Sequence, residues 1–182
     1  MVAYSKGMPV GTSAPDFRLP GIDGQTYALD TFRDAKLLVV IFTCNHCPYA
    51  QALEQRFVEI QRDYAPKGVQ LCAINPNDDR AYPEDDFAHM QSRAREQGWN
   101  YPYLRDESQA IARAYDAVCT PDIYVFDAER KLRYAGRCDD NWKEPDKVTQ
   151  RELRRALDTL LAGRDIDFPV HPAMGCSIKW RG

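Results

Sequence analysis

The sequence predicts an α/β fold: a central mixed β-sheet flanked by helices, with an N-terminal β-hairpin and an irregular C-terminal tail. Three observations predict it. Lys36–Thr43 (KLLVVIFT) and Val69–Asn75 (VQLCAIN) are continuous aliphatic and β-branched runs, as in strands buried on both faces. Between them, Pro48–Tyr64 places Leu53, Phe57, Ile60 and Tyr64 three or four residues apart, which gives a helix one apolar face. Extended and helical segments then alternate, the pattern of a sheet covered on both sides.

Taken in order, Ala14–Leu29 holds two short alternating runs, Asp16–Leu19 and Gln25–Leu29. Gly21-Ile-Asp-Gly24 separates them as a hairpin turn. The first long strand, first helix and second strand follow, with Gly68 closing the helical region. Pro83 stands at a first-turn position, with Glu84, Asp85 and Asp86 where a helix dipole favours acids. A second helix is therefore expected from Pro83 to about Gln97, stopped by Gly98. Ser108–Ala114 reads as a short helix. Ile123–Asp127 and Leu132–Gly136 read as an antiparallel pair turning at Ala128-Glu129. Thr149-x-x-Glu152 has the form of a capping box opening the last helix. Its apolar stripe is Leu153, Ala156, Leu157, Leu160 and Leu161, and Gly163 ends it.

At 182 residues the chain suits one domain, spanning residues 1–182, with no repeat, linker or low-complexity stretch to divide it. A formal charge of −3 leaves no electrostatic footprint for nucleic acid or an anionic membrane. The longest apolar run, Leu37–Phe42, is far short of a membrane span. Met1–Phe17 lacks the apolar stretch of a secretion signal, so a cytoplasmic location is expected. In such a chain the six cysteines read as catalytic or metal-binding thiols rather than a structural framework.

The sharpest motif is Thr43-Cys44-Asn45-His46-Cys47-Pro48, at the handover from buried strand to helix. Cys44 is expected at or just before the helix N-terminus, where unpaired N–H groups and the dipole stabilise a thiolate. Cys47, one turn on, is then the resolving thiol, and His46 adds a positive charge that favours the Cys44 thiolate. The pair points to thiol–disulfide exchange. Half of a zinc site, or two core cysteines, are the competing readings.

This strand–CNHC–helix unit, followed much later by Cys119-Thr120-Pro121 before a buried strand, resembles the thioredoxin superfamily. Within it, Gly11-Thr-Ser-Ala-Pro-Asp-Phe17 and Thr120-Pro-Asp-Ile-Tyr-Val-Phe-Asp127 are similar to signatures of the peroxiredoxin-like redoxin branch, the AhpC/TSA family. The similarity covers about residues 9–162, leaving 163–182 as the tail. The resemblance implies a thioredoxin-like fold and a cis proline at Pro121 beside the dithiol. It also implies that Thr120 and Pro121 bind substrate, the Thr120 backbone pairing with a substrate strand. No cofactor is implied. The expected partners are a disulfide-containing protein or small molecule, and a thiol reductant or oxidant.

The departures from the family bear on the reaction. In the peroxiredoxin frame PxxxTxxC, Cys47 matches the peroxidatic cysteine, Cys44 the threonine and Val40 the proline, while Pro121 replaces the arginine set near the sulfur. Losing the threonine and arginine removes groups that activate peroxide, so dithiol exchange is favoured over a thiol peroxidase with an antioxidant role. The buried acid that thioredoxins carry six residues before their first cysteine is Leu38 here, which leaves the proton acceptor for Cys47 unidentified.

Cys119 precedes Thr120-Pro121, as a packed thiol or an accessory redox thiol. Cys72 reads as core and Cys138 as incidental. Cys176 lies in Gly175-Cys-Ser-Ile-Lys-Trp180, where a flexible tail could bring it to the pair as a resolving thiol, or join His171 and the pair in a zinc site.

Overall fold

Every side chain of the strand Leu37–Phe42 is buried, so both of its faces need cover. The computed structural model, which describes residues 1–182, shows how the chain supplies it. The strands are β1 Val2–Ser5, β2 Arg18–Pro20, β3 Thr26–Ala28, β4 Leu37–Phe42, β5 Val69–Asn75, β6 Tyr103–Arg105, β7 Cys119–Thr120, β8 Asp122–Phe126, β9 Leu132–Ala135 and β10 Ala173–Ser177. The helices are α1 Pro48–Tyr64, α2 Phe87–Glu96, α3 Ala110–Ala114 and α4 Glu152–Leu161. Five strands form the central sheet in the order β6-β5-β4-β8-β9. β4 runs parallel to β5 and antiparallel to β8, so the sheet is mixed.

Alternation along β4 sorts the core into two layers. Leu37, Val39 and Ile41 pack with Leu53, Phe57 and Ile60 of α1 and with Leu153, Ala156 and Leu157 of α4. Leu38, Val40 and Phe42 face the other way, against Phe17, Leu19 and Phe32 around the β2–β3 hairpin and Ala112 of α3. Burying each of the Leu, Ile, Val and Phe side chains among them contributes about 2 kcal/mol. α1 starts with Pro48 at its first position, where a missing N–H costs nothing and the fixed φ suits the helix. Gly68 closes the turn after α1 at φ 89°, a left-handed conformation that costs glycine little. No helix is long and apolar enough to cross a membrane.

Besides the short strand β6, which the sequence reading lacked, the structure departs from it at three places. Pro83–Asp85 forms a separate 3-10 turn, and α2 begins after it with Asp86 accepting from the His89 N–H at 2.8 Å. Asp85 turns inward instead of lining a first helical turn. The capping box at Thr149 does not form either. Thr149 donates its N–H and its hydroxyl to Asp140, while Glu152 takes Arg137 and His171 at 2.8 Å each, so α4 starts at Glu152 with no side-chain cap. Finally, residues 163–182 are not wholly irregular. β10 lies between β1 and β7 in a second, three-stranded antiparallel sheet, Cys176 opposite Val2 on one side and Thr120 on the other.

Candidate active site

The loop Cys44-Asn45-His46-Cys47 joins β4 to α1, and Cys47, in extended backbone, is the helix N-cap. Both cysteines are at most 1% exposed. Their sulfurs converge on one residue, Thr120, just ahead of β8, the strand beside β4. Cys44 Sγ lies 3.3 Å from the Thr120 hydroxyl, and Cys47 Sγ lies 3.1 Å from the Thr120 carbonyl oxygen. Thr120–Pro121 is a cis peptide between β7 and β8, as the family resemblance implied.

Of the two thiols it is Cys47 whose pKa is lowered, not Cys44 as the sequence suggested. Donation from the Cys44 thiol is the main cause that brings Cys47 down to about 4, against the cost of burial. The Cys176 thiol and the Ala50 N–H of the first helical turn add to it. Cys44 moves the opposite way, well above the usual thiol range, because it holds its proton toward Cys47, is buried, and feels the Asp85 carboxylate. The helix starts at Pro48 as the sequence predicted, but with Cys47 as its N-cap it is this cysteine, not Cys44, that stands at the helix N-terminus. The free N–H groups of the first turn therefore point at the second cysteine.

His46 is also placed differently. Its Nδ1 lies 2.6 Å from Asp85 Oδ2, and its ring stacks on Tyr82 with centroids 5.3 Å apart. The His46 ring is thus held between Asp85 and Tyr82. Asp85 is fully buried and also accepts from the Asn45 N–H at 2.7 Å and from Asn77 Nδ2 at 2.8 Å. Asn45 donates to the Glu84 carbonyl and accepts from the Tyr103 hydroxyl. The two central residues of the motif are thus clamped to the Pro83–Asp85 turn. In sequence, Asp85 looked no different from Glu84 and Asp86. Only the long-range contact to Asn45 and His46 sets it apart. Asp85 is a buried acid whose charge acts on Cys44, while Leu38, where thioredoxins carry their acid, is wholly inside the core.

Donor atoms of Cys44, His46 and Asp85 lie within 4.8 Å of one another, so these three are the residues able to hold a metal ion. His171 pairs with Glu152 at 2.8 Å, which places it in the α4 cap region and not in a set with the cysteine pair. Cys119 is a buried thiol donating to the Pro121 carbonyl at 3.6 Å, its pKa pushed up by burial. Cys72 and Cys138 lie in the two core layers.

The Thr120 backbone, expected to be free for a substrate strand, is already paired. β10 occupies that edge with Cys176 opposite Thr120. Cys176, expected on a flexible tail, is fixed in this strand and packs against Cys44, Cys47 and Ala50.

A sequence model of the AhpC/TSA family matches residues 10–135. The thiol-disulfide oxidoreductase ResA of Geobacillus thermodenitrificans is 23% identical over 124 residues, 68% of this chain and 67% of that protein. The crystal structure of an uncharacterized conserved protein from Geobacillus kaustophilus superposes with a TM-score of 0.95 at 42% identity, covering 100% of this chain and 97% of that one. A putative thiol:disulfide interchange protein DsbE from Chlorobium tepidum, at 19% identity, TM-score 0.69 and coverage of 85% and 99%, shares the thioredoxin-like fold.

Proposed function

The chain belongs to the AhpC/TSA family, and from that premise we propose that it is a thiol–disulfide oxidoreductase whose working couple is Cys44 and Cys47. The observation that carries this reading is the convergence of both sulfurs on Thr120, with the Cys47 thiolate at the start of α1. A thiolate so stabilised favours the dithiol over the disulfide, which makes the oxidised couple an acceptor of electrons from external thiols. Two electrons pass from two substrate thiols to the Cys44–Cys47 disulfide, and a substrate disulfide is released. The name of the ResA relative supports this class of chemistry. Incubating oxidised protein with glutathione should yield oxidised glutathione and two new alkylatable thiols, Cys44 and Cys47. Failure of either to appear overturns the proposal.

A thiol peroxidase is the second reading. One observation favours it: Cys47, the residue matching the peroxidatic position, is the cysteine with the lowered pKa. Against it, Cys44 and Pro121 stand where a peroxidase has the hydroxyl and guanidinium that polarise peroxide. Stoichiometric consumption of hydrogen peroxide with sulfenic acid at Cys47 would establish it.

A further inference from the structure

Of the six cysteines, five are buried and Cys176 alone is partly exposed. It stands on β10, in the position beside Thr120 where an extended substrate would pair. Its partner across the strand is fixed by close approach. A Cβ on Gly175 would fall 1.9 Å from the Thr120 carbonyl oxygen, so only glycine lets β10 lie this near the cis-proline loop. Cys176 packs on the cluster of Cys44, Cys47 and Ala50. The far edge of β10 is held by β1 from Val2 to Ser5. An external thiol approaching the pair therefore meets Cys176 before it meets either buried sulfur. Beside it, a cavity of about 240 Å³ opens between Pro121, Met174, Trp142 and Tyr4.

We propose that Cys176 is a third redox cysteine, which passes electrons from external thiols to the buried pair through a transient Cys47–Cys176 disulfide. This rests on the oxidoreductase reading above and extends it to the route of exchange. Starting from the Cys44–Cys47 disulfide, the Cys176 sulfur attacks Cys47 Sγ. The Cys44–Cys47 bond breaks, and Cys44 leaves with the proton that Cys176 gives up. A substrate thiolate then attacks the exposed Cys176 Sγ and expels Cys47 as a thiolate, the best leaving group of the three. A second substrate thiolate takes the first off Cys176 as a disulfide, and Cys176 is reprotonated from solvent. The high pKa of free Cys176, about 11, keeps it a thiol between turnovers.

The test uses the full chain. In Cys44→Ser protein treated with the thiol oxidant diamide, peptide mass spectrometry should find Cys47 joined to Cys176. In Cys176→Ser protein the Cys44–Cys47 disulfide should still form, yet its reduction by glutathione should slow by about tenfold, because the external thiolate loses a sulfur placed in reach. Gly175→Ala, which lifts β10 from Thr120 without touching a sulfur, should lower the yield of the Cys47–Cys176 link. No such link in Cys44→Ser, an unchanged rate in Cys176→Ser, or a full yield in Gly175→Ala overturns the proposal. Failure of the wild-type Cys44–Cys47 pair to exchange with glutathione would instead count against the oxidoreductase reading, and the cross-link in Cys44→Ser is read independently of it.

Discussion

At Cys47 a helix start and a sulfur coincide, and one consequence can be measured by pH alone. The Cys47 thiol is brought from 9.0 to about 4 in the folded, reduced protein. The ionised form is therefore favoured by folding. That stability is fully present above the unfolded thiol pKa near 9 and is lost as pH falls through about 4. Denaturant titrations of reduced wild-type and Cys47→Ser protein should diverge in favour of wild type as pH rises across this window. Parallel curves would place the thiolate elsewhere. Asp85 acts on the other cysteine. Removing its charge in Asp85→Asn should lower the Cys44 pKa, read as a shift of the second thiolate step in ultraviolet absorbance. It should also cost about 2 kcal/mol of stability, since the Asn45 N–H and His46 lose their carboxylate. The cysteine pair was legible in the sequence as a CxxC at a strand-to-helix junction. Which sulfur ionises was not, because it depends on donation between the two thiols and on Cys176, brought in from the far end of the chain. Asp85 was illegible for a similar reason: its role depends on a contact 40 residues away in the chain.

Elements with a long apolar signal, β4, β5 and α1, end within a residue of where periodicity puts them. Elements held by neighbours do not show this agreement. β1 and β10 are short, carry no clean alternation and exist because they pair with each other, and β10 in turn with β7. Thr149 had the residue type of a cap but found Asp140 first. At the start of β8, Asp122 is buried beside the Val118 N–H, and burial pushes its carboxyl up to about 6. Here the sign is reversed relative to Cys47. The neutral acid is favoured by folding, so the contribution is fully present below the ordinary 3.8 and is lost as pH rises through about 6. Asp122→Asn should flatten this fall, which is on the order of 2–3 kcal/mol, between pH 4 and pH 7 in thermal melts. An unaltered slope would show that Asp122 is ionised without penalty.

Across the whole molecule, a five-stranded mixed sheet holds a dithiol at one end and a second sheet closes over it. Continuous apolar runs captured β4, β5 and β8 of the first because buried strands must be apolar throughout, though not the three-residue β6, whereas the cover is assembled from both chain ends and leaves no local signal. The central claim is that Cys44 and Cys47 form one reversible, oxidising couple. It is tested most directly by equilibrating the protein across glutathione redox buffers, alkylating, and locating each modified cysteine by mass spectrometry. A single two-electron transition confined to Cys44 and Cys47 is predicted, at a potential above the roughly −270 mV of thioredoxin, because the reduced state carries a stabilised thiolate. A pair that stays reduced throughout, or a transition more reducing than that value, would contradict the account.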